Sequence, residues 1–395
     1  MTNTARIYLK KGRDESLRRF HPWIFSGAID RVEGNIVDGD RVDVFDNGKN
    51  YLATGFASTG SIAVKVFWFG PSKPAEDIWY NKLLQAYNLR NNLGLTIDHD
   101  SNAYRLVFSE ADGLPGLVID YYNGVAVIQA HSMGMYLVKQ EICDALVRLY
   151  GNKLVAVYDK SKEALSKSGI HEGDDSFLYG SSTELIIKEN GHNFQIDFIE
   201  GQKTGFFLDQ RDNRALLGHY SKGKKVLNTF SYTGGFSIYA LAAGATHVTS
   251  LDASKKAIDA VNKNLLLNQG YKGSHESVVA DAKAWLPTIQ SDFDIIVLDP
   301  PAFAKKRADL HKGIQGYKFI NTTALSRIKS GGLLFTFSCS QAINRDQFTS
   351  MVMSSALEAK RNARIIHHLG HSVDHPVSVF HQEGEYLKGL VLQVD

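Results

Sequence analysis

Five residues, Gly234, Asp252, Asp281, Asp299 and Cys339, stand at the ends of successive apolar runs, and in that order they suit a ligand site with a nucleophile beside it. The runs are Val226–Phe230, Val248–Leu251, Ser277–Val279, Ile295–Leu298 and Leu333–Phe337. After the first comes Ser231-Tyr232-Thr233-Gly234-Gly235-Phe236, where a glycine pair lets backbone N–H groups approach a ligand. Asp252, seventeen positions after Gly235, lies just past the second run. A carboxylate there can accept hydrogen bonds from both ribose hydroxyls of an adenosine-type ligand. Asp281-Ala282 ends the third run, where side chain and backbone can meet an adenine ring, and Asp299-Pro300-Pro301 ends the fourth. Taken singly, the glycine pair is more often a turn that serves helix packing. A single cysteine is likewise more often a small buried hydrophobe. The ordered series favours a site.

The fingerprint G-x-G-x-x-G is absent: Phe230, Tyr232 or Thr233 would occupy its glycine positions. Pyrophosphate needs close backbone approach, which such residues obstruct. S-adenosylmethionine has no phosphate and tolerates the loop.

Positioning these residues requires strands alternating with helices, hence a doubly wound, Rossmann-like α/β domain with a parallel sheet covered on both faces, expected over residues 195–395. The chain before it reads differently. Residues 1–72 show short alternating runs such as Arg41–Phe45 and Ile62–Val66, broken by Asp38-Gly39-Asp40 and Asp46-Asn47-Gly48, a pattern expected of a small β-barrel. Pro71-Ser72-Lys73-Pro74 reads as a linker. Residues 75–190 are expected to form a middle α+β module. Its elements are helices over 76–94 and 135–150, strands at Leu106–Phe108, Leu117–Ile119 and Val125–Ile128, and two more around Glu189-Asn190-Gly191-His192.

The chain has 395 residues, enough for two or three domains. Its 44 lysines and arginines against 42 acidic residues exclude a chain that is basic throughout, but not nucleic-acid binding, which depends on local clustering. Two cysteines, Cys143 and Cys339, exclude a disulfide framework and a cysteine-based zinc site and suit a reducing cytosol. The N-terminal stretch has no apolar core of a signal peptide. The apolar runs are strand-length, far short of the roughly 20 residues that span a bilayer. A cytoplasmic protein without membrane contact is expected. His367, His368, His371, His375 and His381 lack the spacing of a zinc helix, so no metal is expected.

Asn228–Ser237, Asp252, Asp281 and Asp299-Pro300-Pro301-Ala302-Phe303 resemble the motifs of class I S-adenosylmethionine methyltransferases. HPWIFSGAI (21–29), RLVFSEADGLPGLVIDYY (105–122), GQKTGFFLDQRDNR (201–214) and FTFSCS (335–340) are similar to bacterial large-subunit ribosomal RNA cytosine-C5 methyltransferases with an N-terminal PUA domain. The resemblance covers nearly the whole chain. It implies S-adenosylmethionine as cofactor, ribosomal RNA as partner and the barrel as an RNA-binding PUA module. It implies cofactor contacts from Phe207, Asp209, Asn228, Phe230, Tyr232, Gly234, Asp252, Ala253, Asp281, Ala282 and Asp299. Asn228 departs from the acidic residue that many such enzymes carry.

Cytosine C5 is too weak a nucleophile to take a methyl group directly. A thiolate that adds to C6 turns C5 into an enamine-like carbon, which attacks the sulfonium methyl; loss of the C5 proton then expels the thiolate. By resemblance Cys339 is that nucleophile. Asp299, on a loop stiffened by two prolines, is the acid that orients a flipped base. No residue is identified as base for the C5 proton. Cys143, on an expected helix, reads as core. Two alternatives stay open. Asp299–Phe303 also resembles loops that methylate exocyclic purine amines, although Ala302 intervenes before the aromatic and Cys339 argues otherwise. The other is a non-catalytic RNA-binding or ribosome-assembly factor.

Basic residues cluster at Lys10, Lys11, Arg13, Arg18 and Arg19, at Lys305, Lys306 and Arg307, and across Lys203–Lys225. Such clusters suit phosphate contacts around a target base. Asp374-His375-Pro376 resembles a family feature expected near substrate. Oligomeric state is not readable, and a homodimer stays open.

Overall fold

The computed structural model describes residues 5–96, 100–171, 173–183, 185–304 and 306–395. The chain divides into two compact units. One comprises residues up to Ile187 with Ile196–Leu208 and Val373–Gly384; the other comprises Lys188–Gln195, Asp209–Ser372 and Glu385–Asp395.

In the first unit a six-stranded sheet runs in the order Trp23–Phe25, Ile62–Phe69, Tyr51–Ala57, Arg41–Phe45, Ala5–Leu9, Ile29–Glu33. Its two end strands are separated in sequence only by Ser26–Ala28, so the sheet must curl to bring its ends together. The alternation expected of half-buried strands fills the inside with Ile7, Leu9, Val42, Val44, Val64 and Val66. Phe56 and Phe67 belong instead to the core of the following α+β segment. There they meet Trp79, with ring centroids 6.0 and 5.0 Å away. Each such ring contributes about 1.5–3 kcal/mol by leaving water, so barrel and middle segment share one core across Pro71–Pro74.

That segment has a five-stranded sheet, ordered Ser176–Gly180, Ala156–Asp159, Val125–Ala130, Leu117–Tyr122, Ala103–Phe108, and a helix Ile78–Asn92. The single helix expected over 135–150 is two, Met133–Leu137 and Lys139–Tyr150, separated at Val138. Cys143 lies in this core at 1% exposure, and burial pushes its thiol up to about 11, in keeping with the core reading. A buried charge network anchors the start of the 201–214 motif. Arg105 grips both Asp120 oxygens at 2.7 Å, and the Thr204 hydroxyl donates to Asp120 at 2.6 Å.

The second unit is built on a seven-stranded sheet. Its strands are β1 (Lys225–Thr229), β2 (His247–Asp252), β3 (Ser274–Val279), β4 (Ile295–Leu298), β5 (Gly332–Ser338), β6 (Ala363–Leu369) and β7 (Lys388–Val394). The order is β3-β2-β1-β4-β5-β7-β6. The first five are parallel, and β7 pairs antiparallel with both β5 and β6. Ile295–Leu298 is fully buried, as a central strand covered on both faces must be. The order reverses at β1 and β4, where ligands bind in such sheets. Helices α1 (Arg211–Ser221), α2 (Gly235–Ala242), α3 (Lys255–Leu267), α4 (Leu310–Arg327) and α5 (Arg345–Glu358) belong to this unit. Among the described residues no helix is long and apolar enough to cross a membrane.

Candidate active site

The loop after β1 is held in a conformation that ordinary residues avoid. Phe230 (φ +55°), Tyr232 (φ +46°) and Gly234 (φ +82°) are left-handed, and each non-glycine residue there stores about 1–2 kcal/mol. Neighbours hold the strain: Tyr232 N–H donates to Asp252 Oδ2 at 3.0 Å and the Asn264 amide to Thr233 O at 2.8 Å. The glycine pair does serve packing. A Cβ on Gly234 would meet Val261 at 3.0 Å, and one on Gly235 would meet Arg214 at 2.8 Å.

Asp252 closes the loop from the other side, accepting from Ser254 N–H at 2.9 Å. Asp281 lies just past β3 and N-caps the short helix Ala282–Trp285, accepting from Lys283 and Ala284 N–H at 2.8 and 3.1 Å. Ala282 is buried and Ala253 exposed. The groups gathered here are mainly acceptors. Asn228 Oδ1 and Asp209 Oδ1, together with Ser231 Oγ, are buried with no hydrogen-bond partner among the described residues. An unmet buried acceptor costs about 1–3 kcal/mol, so a ligand that brings donors completes the site. S-adenosylmethionine fits: it brings an ammonium, ribose hydroxyls, an amine and a sulfonium charge, whereas a pyrophosphate would bring negative charge to carboxylates. Asp252→Ala is expected to weaken S-adenosylhomocysteine binding by roughly ten- to a hundredfold in calorimetry, the worth of one or two charge-assisted hydrogen bonds. Asp252→Asn, which keeps an acceptor, should lose less.

Asp299, at the end of β4, accepts from the Gln210 amide at 3.1 Å, and Gln210 is held in turn by Asn213 at 2.6 Å. Burial, and then the neighbouring Asp209 carboxylate, push the Asp299 carboxyl up to about 7; Gln210 and Arg214 oppose this. Asp209 accepts from the Tyr386 hydroxyl at 2.6 Å. The second half of the 201–214 motif therefore stands against Asp299. Phe207 falls in the first unit.

Cys339 follows β5 directly, half-buried, with Sγ 3.9 Å from Pro300 O. The turn it begins is tied down by Ser340, whose hydroxyl meets Tyr317 OH at 2.9 Å and Ala304 N–H at 3.2 Å. Gly313 and Gly316 let the Asp-Pro-Pro loop settle on α4: a Cβ at either would meet Ala304 at 2.6 Å or Phe303 at 3.0 Å. The Phe303 ring is engaged by Tyr317, at 4.7 Å, and by the Lys283 ammonium, at 4.6 Å. Sequence reasoning missed Gln210, Tyr317, Tyr386 and Lys388. Gln210 lay inside the 201–214 motif, and Lys388 carried a signal as a lone charge opening an apolar strand.

The basic residues fare unevenly. Lys11 and Arg13 are exposed, whereas Lys10 donates to Gly27 O, Arg18 is held by Asp14 and Asp46, and Arg19 lies 3.8 Å from Glu15. Lys306 is exposed; Lys305 and the side chain of Arg307 lie outside the described residues. The Lys203–Lys225 cluster divides: Lys203, Lys222 and Lys224 are exposed and Lys225 is half-buried, whereas its two arginines turn inward. Arg211 and Arg214, each 3% exposed, are buried on Glu189, with Arg214 bidentate at 2.8 Å. Unforeseen in the first unit are exposed rings, Phe20 (54%), Phe25 and Phe380, with Phe20 5.5 Å from Phe380. Among the described residues no group of three or more potential ligands could hold a metal. His367 meets Tyr220 OH at 2.7 Å, and His375 pairs with Asp374 at 2.8 Å.

A family model described as an S-adenosylmethionine-dependent methyltransferase matches residues 162–377, and one described as a PUA-like domain matches residues 7–69. The ribosomal RNA large subunit methyltransferase I of Aeromonas salmonicida is 40% identical over 98% of both chains. Its counterpart in Alteromonas mediterranea is 39% identical over 99% of both. A putative S-adenosylmethionine-dependent methyltransferase from Streptococcus mutans shares the fold, with TM-score 0.82 and 22% identity over 98% of this chain and 99% of that one. A putative methyltransferase complexed with SAH superposes equally well, TM-score 0.82 at 23% identity, with the same coverage.

Proposed function

Because the chain belongs to the ribosomal RNA large subunit methyltransferase I family, with a PUA-like domain and an S-adenosylmethionine-dependent methyltransferase domain, we propose that it methylates cytosine C5 in large-subunit ribosomal RNA. The reaction passes through a covalent cysteine–C6 adduct, in the cytoplasm. In this reading residues 1–72 bind RNA and residues 195–395 carry out the transfer.

The observation that most supports it is the approach of Cys339 to the Asp299-Pro300 loop, Sγ 3.9 Å from Pro300 O, at the strand ends that also carry the acceptor-rich site. S-adenosylmethionine supplies, when bound, an electrophilic methyl group. The Cys339 thiolate adds to C6, and C5 becomes nucleophilic. Asp299, half protonated near pH 7, donates to N3 as addition drives electron density onto the ring. After alkylation at C5, loss of its proton expels the thiolate. Reaching the target requires a base out of its stack. The exposed rings of the first unit and the cations Lys11 and Arg13 offer stacking and phosphate contact to the flanking unpaired RNA. Purine-amine methylation would need an aromatic ring open to the base, and the Phe303 ring already rests on Tyr317.

RNA carrying 5-fluorocytidine tests the proposal. Fluorine in place of the C5 proton blocks elimination, so the enzyme should remain joined to RNA through Cys339 in peptide mass spectrometry. Methyl transfer to a purine amine, or no transfer to any large-subunit RNA, would refute it.

A further inference from the structure

We propose that Lys388 is a positioning residue for the nucleophile: its ammonium supplies the positive charge that stabilises the Cys339 thiolate. The inference rests on the reading of Cys339 as nucleophile and extends it.

A lysine is seldom buried without a partner for its charge. Lys388 is 3% exposed and opens β7 directly opposite Ser338, the residue before Cys339, in the β5–β7 register. Its Nζ donates to Ser340 O and Ile343 O, both at 2.7 Å. Both carbonyls belong to the turn that Cys339 begins, so the ammonium is fixed under that turn. These carbonyls satisfy two of its three hydrogens without neutralising its charge. Among the described residues Lys388 forms no ion pair within 4.0 Å.

The groups facing it narrow what the charge is for. Burial lowers the Lys388 ammonium to about 8, opposed first by Cys339 and then by Glu385, while Arg345 lowers it further. Glu385 is already committed to Arg345 at 2.5 Å. From α4, Tyr317 faces Cys339; burial and then Cys339 itself push its phenol up, so it stays neutral. From β4, Asp299 is uncharged below about pH 7. The sulfur is therefore left as the anionic partner for Lys388. A cation beside a thiol favours its ionised form.

The test reads thiol ionisation, not turnover. In full-length protein with Cys143→Ala, so that Cys339 is the one thiol, the rate of iodoacetamide alkylation is followed from pH 5 to 10. The midpoint should lie below the ordinary thiol value of about 8.5. Lys388→Gln keeps donors for the two carbonyls but removes the charge; it should raise the midpoint and slow alkylation at pH 7 about tenfold. Lys388→Arg should restore the low midpoint. A glutamine variant with an unchanged midpoint would leave Lys388 a structural role alone and overturn the proposal. So would a midpoint at or above 8.5 in the protein with Lys388 intact, a measurement that does not depend on either lysine variant folding. Either result leaves the role of Cys339 to its own test, methyl transfer by Cys339→Ala.

Discussion

Cys339→Ala is expected to abolish methyl transfer, by about 10⁴-fold or more, and to leave S-adenosylhomocysteine affinity within about twofold. The size follows from what is removed. On the proposed route, without addition at C6 no residue makes C5 nucleophilic, so the variant should lose the intermediate itself and not a fraction of its stabilisation. The selectivity follows from geometry. The acceptors Asn228 and Asp252 belong to β1 and β2 and Asp281 follows β3, whereas Cys339 follows β5. Ser340 and Lys388 hold the turn through their own contacts, and a half-buried sulfur gives up little packing, so the melting temperature should shift only slightly. The measurements are methyl incorporation into large-subunit RNA, calorimetric binding and thermal unfolding. A variant with full activity would rule out the covalent route. Absence of transfer by the unaltered protein would point instead to a binding factor.

How much of this site the sequence makes legible depends on the distance over which each feature is determined. The runs that became β1, β2, β4 and β5 are apolar because both of their faces are covered, a local signature, and the residue ending each is then placed at the ligand edge. The antiparallel return was not legible. Leu390–Val394 is mostly apolar, as the parallel strands are, and nothing in its composition says that it inserts between β5 and β6. Contacts made by the 201–214 motif were hidden for a similar reason: Gln210 meets Asp299 across 89 positions. Charge counting failed most plainly at Arg211 and Arg214, within the Lys203–Lys225 cluster. It had no means of knowing that Glu189 takes up Arg211 and Arg214 in the interior. By contrast the Asp-Pro-Pro loop, with its proline-stiffened carboxylate, could be recognised because the rigidity lies in adjacent residues.

The same loop supports the second large effect. Asp299→Asn should lower turnover about 10²- to 10⁴-fold, the usual worth of a general acid, while making the protein more resistant to heat. The two changes share a cause. Burial and Asp209 disfavour the ionised carboxylate in the folded protein, pushing its carboxyl up to about 7 from an ordinary 3.8. The folded state therefore holds this proton more tightly than the unfolded chain does, and stability falls as pH rises. The penalty is absent below about pH 4, grows between pH 4 and 7, and is complete above 7. Asparagine keeps the acceptor for Gln210 and carries no charge, so the melting-temperature advantage of the variant should widen over that interval and then level off. Turnover should have an alkaline limb set by the same proton, declining above about pH 7 as the acid form of Asp299 is lost, and the limb should vanish in Asp299→Asn. A residue kept only to cap the loop would not tie the alkaline limb to the stability gain. If the variant were as active as the parent, or less stable at pH 8, the carboxyl would not be held protonated for catalysis.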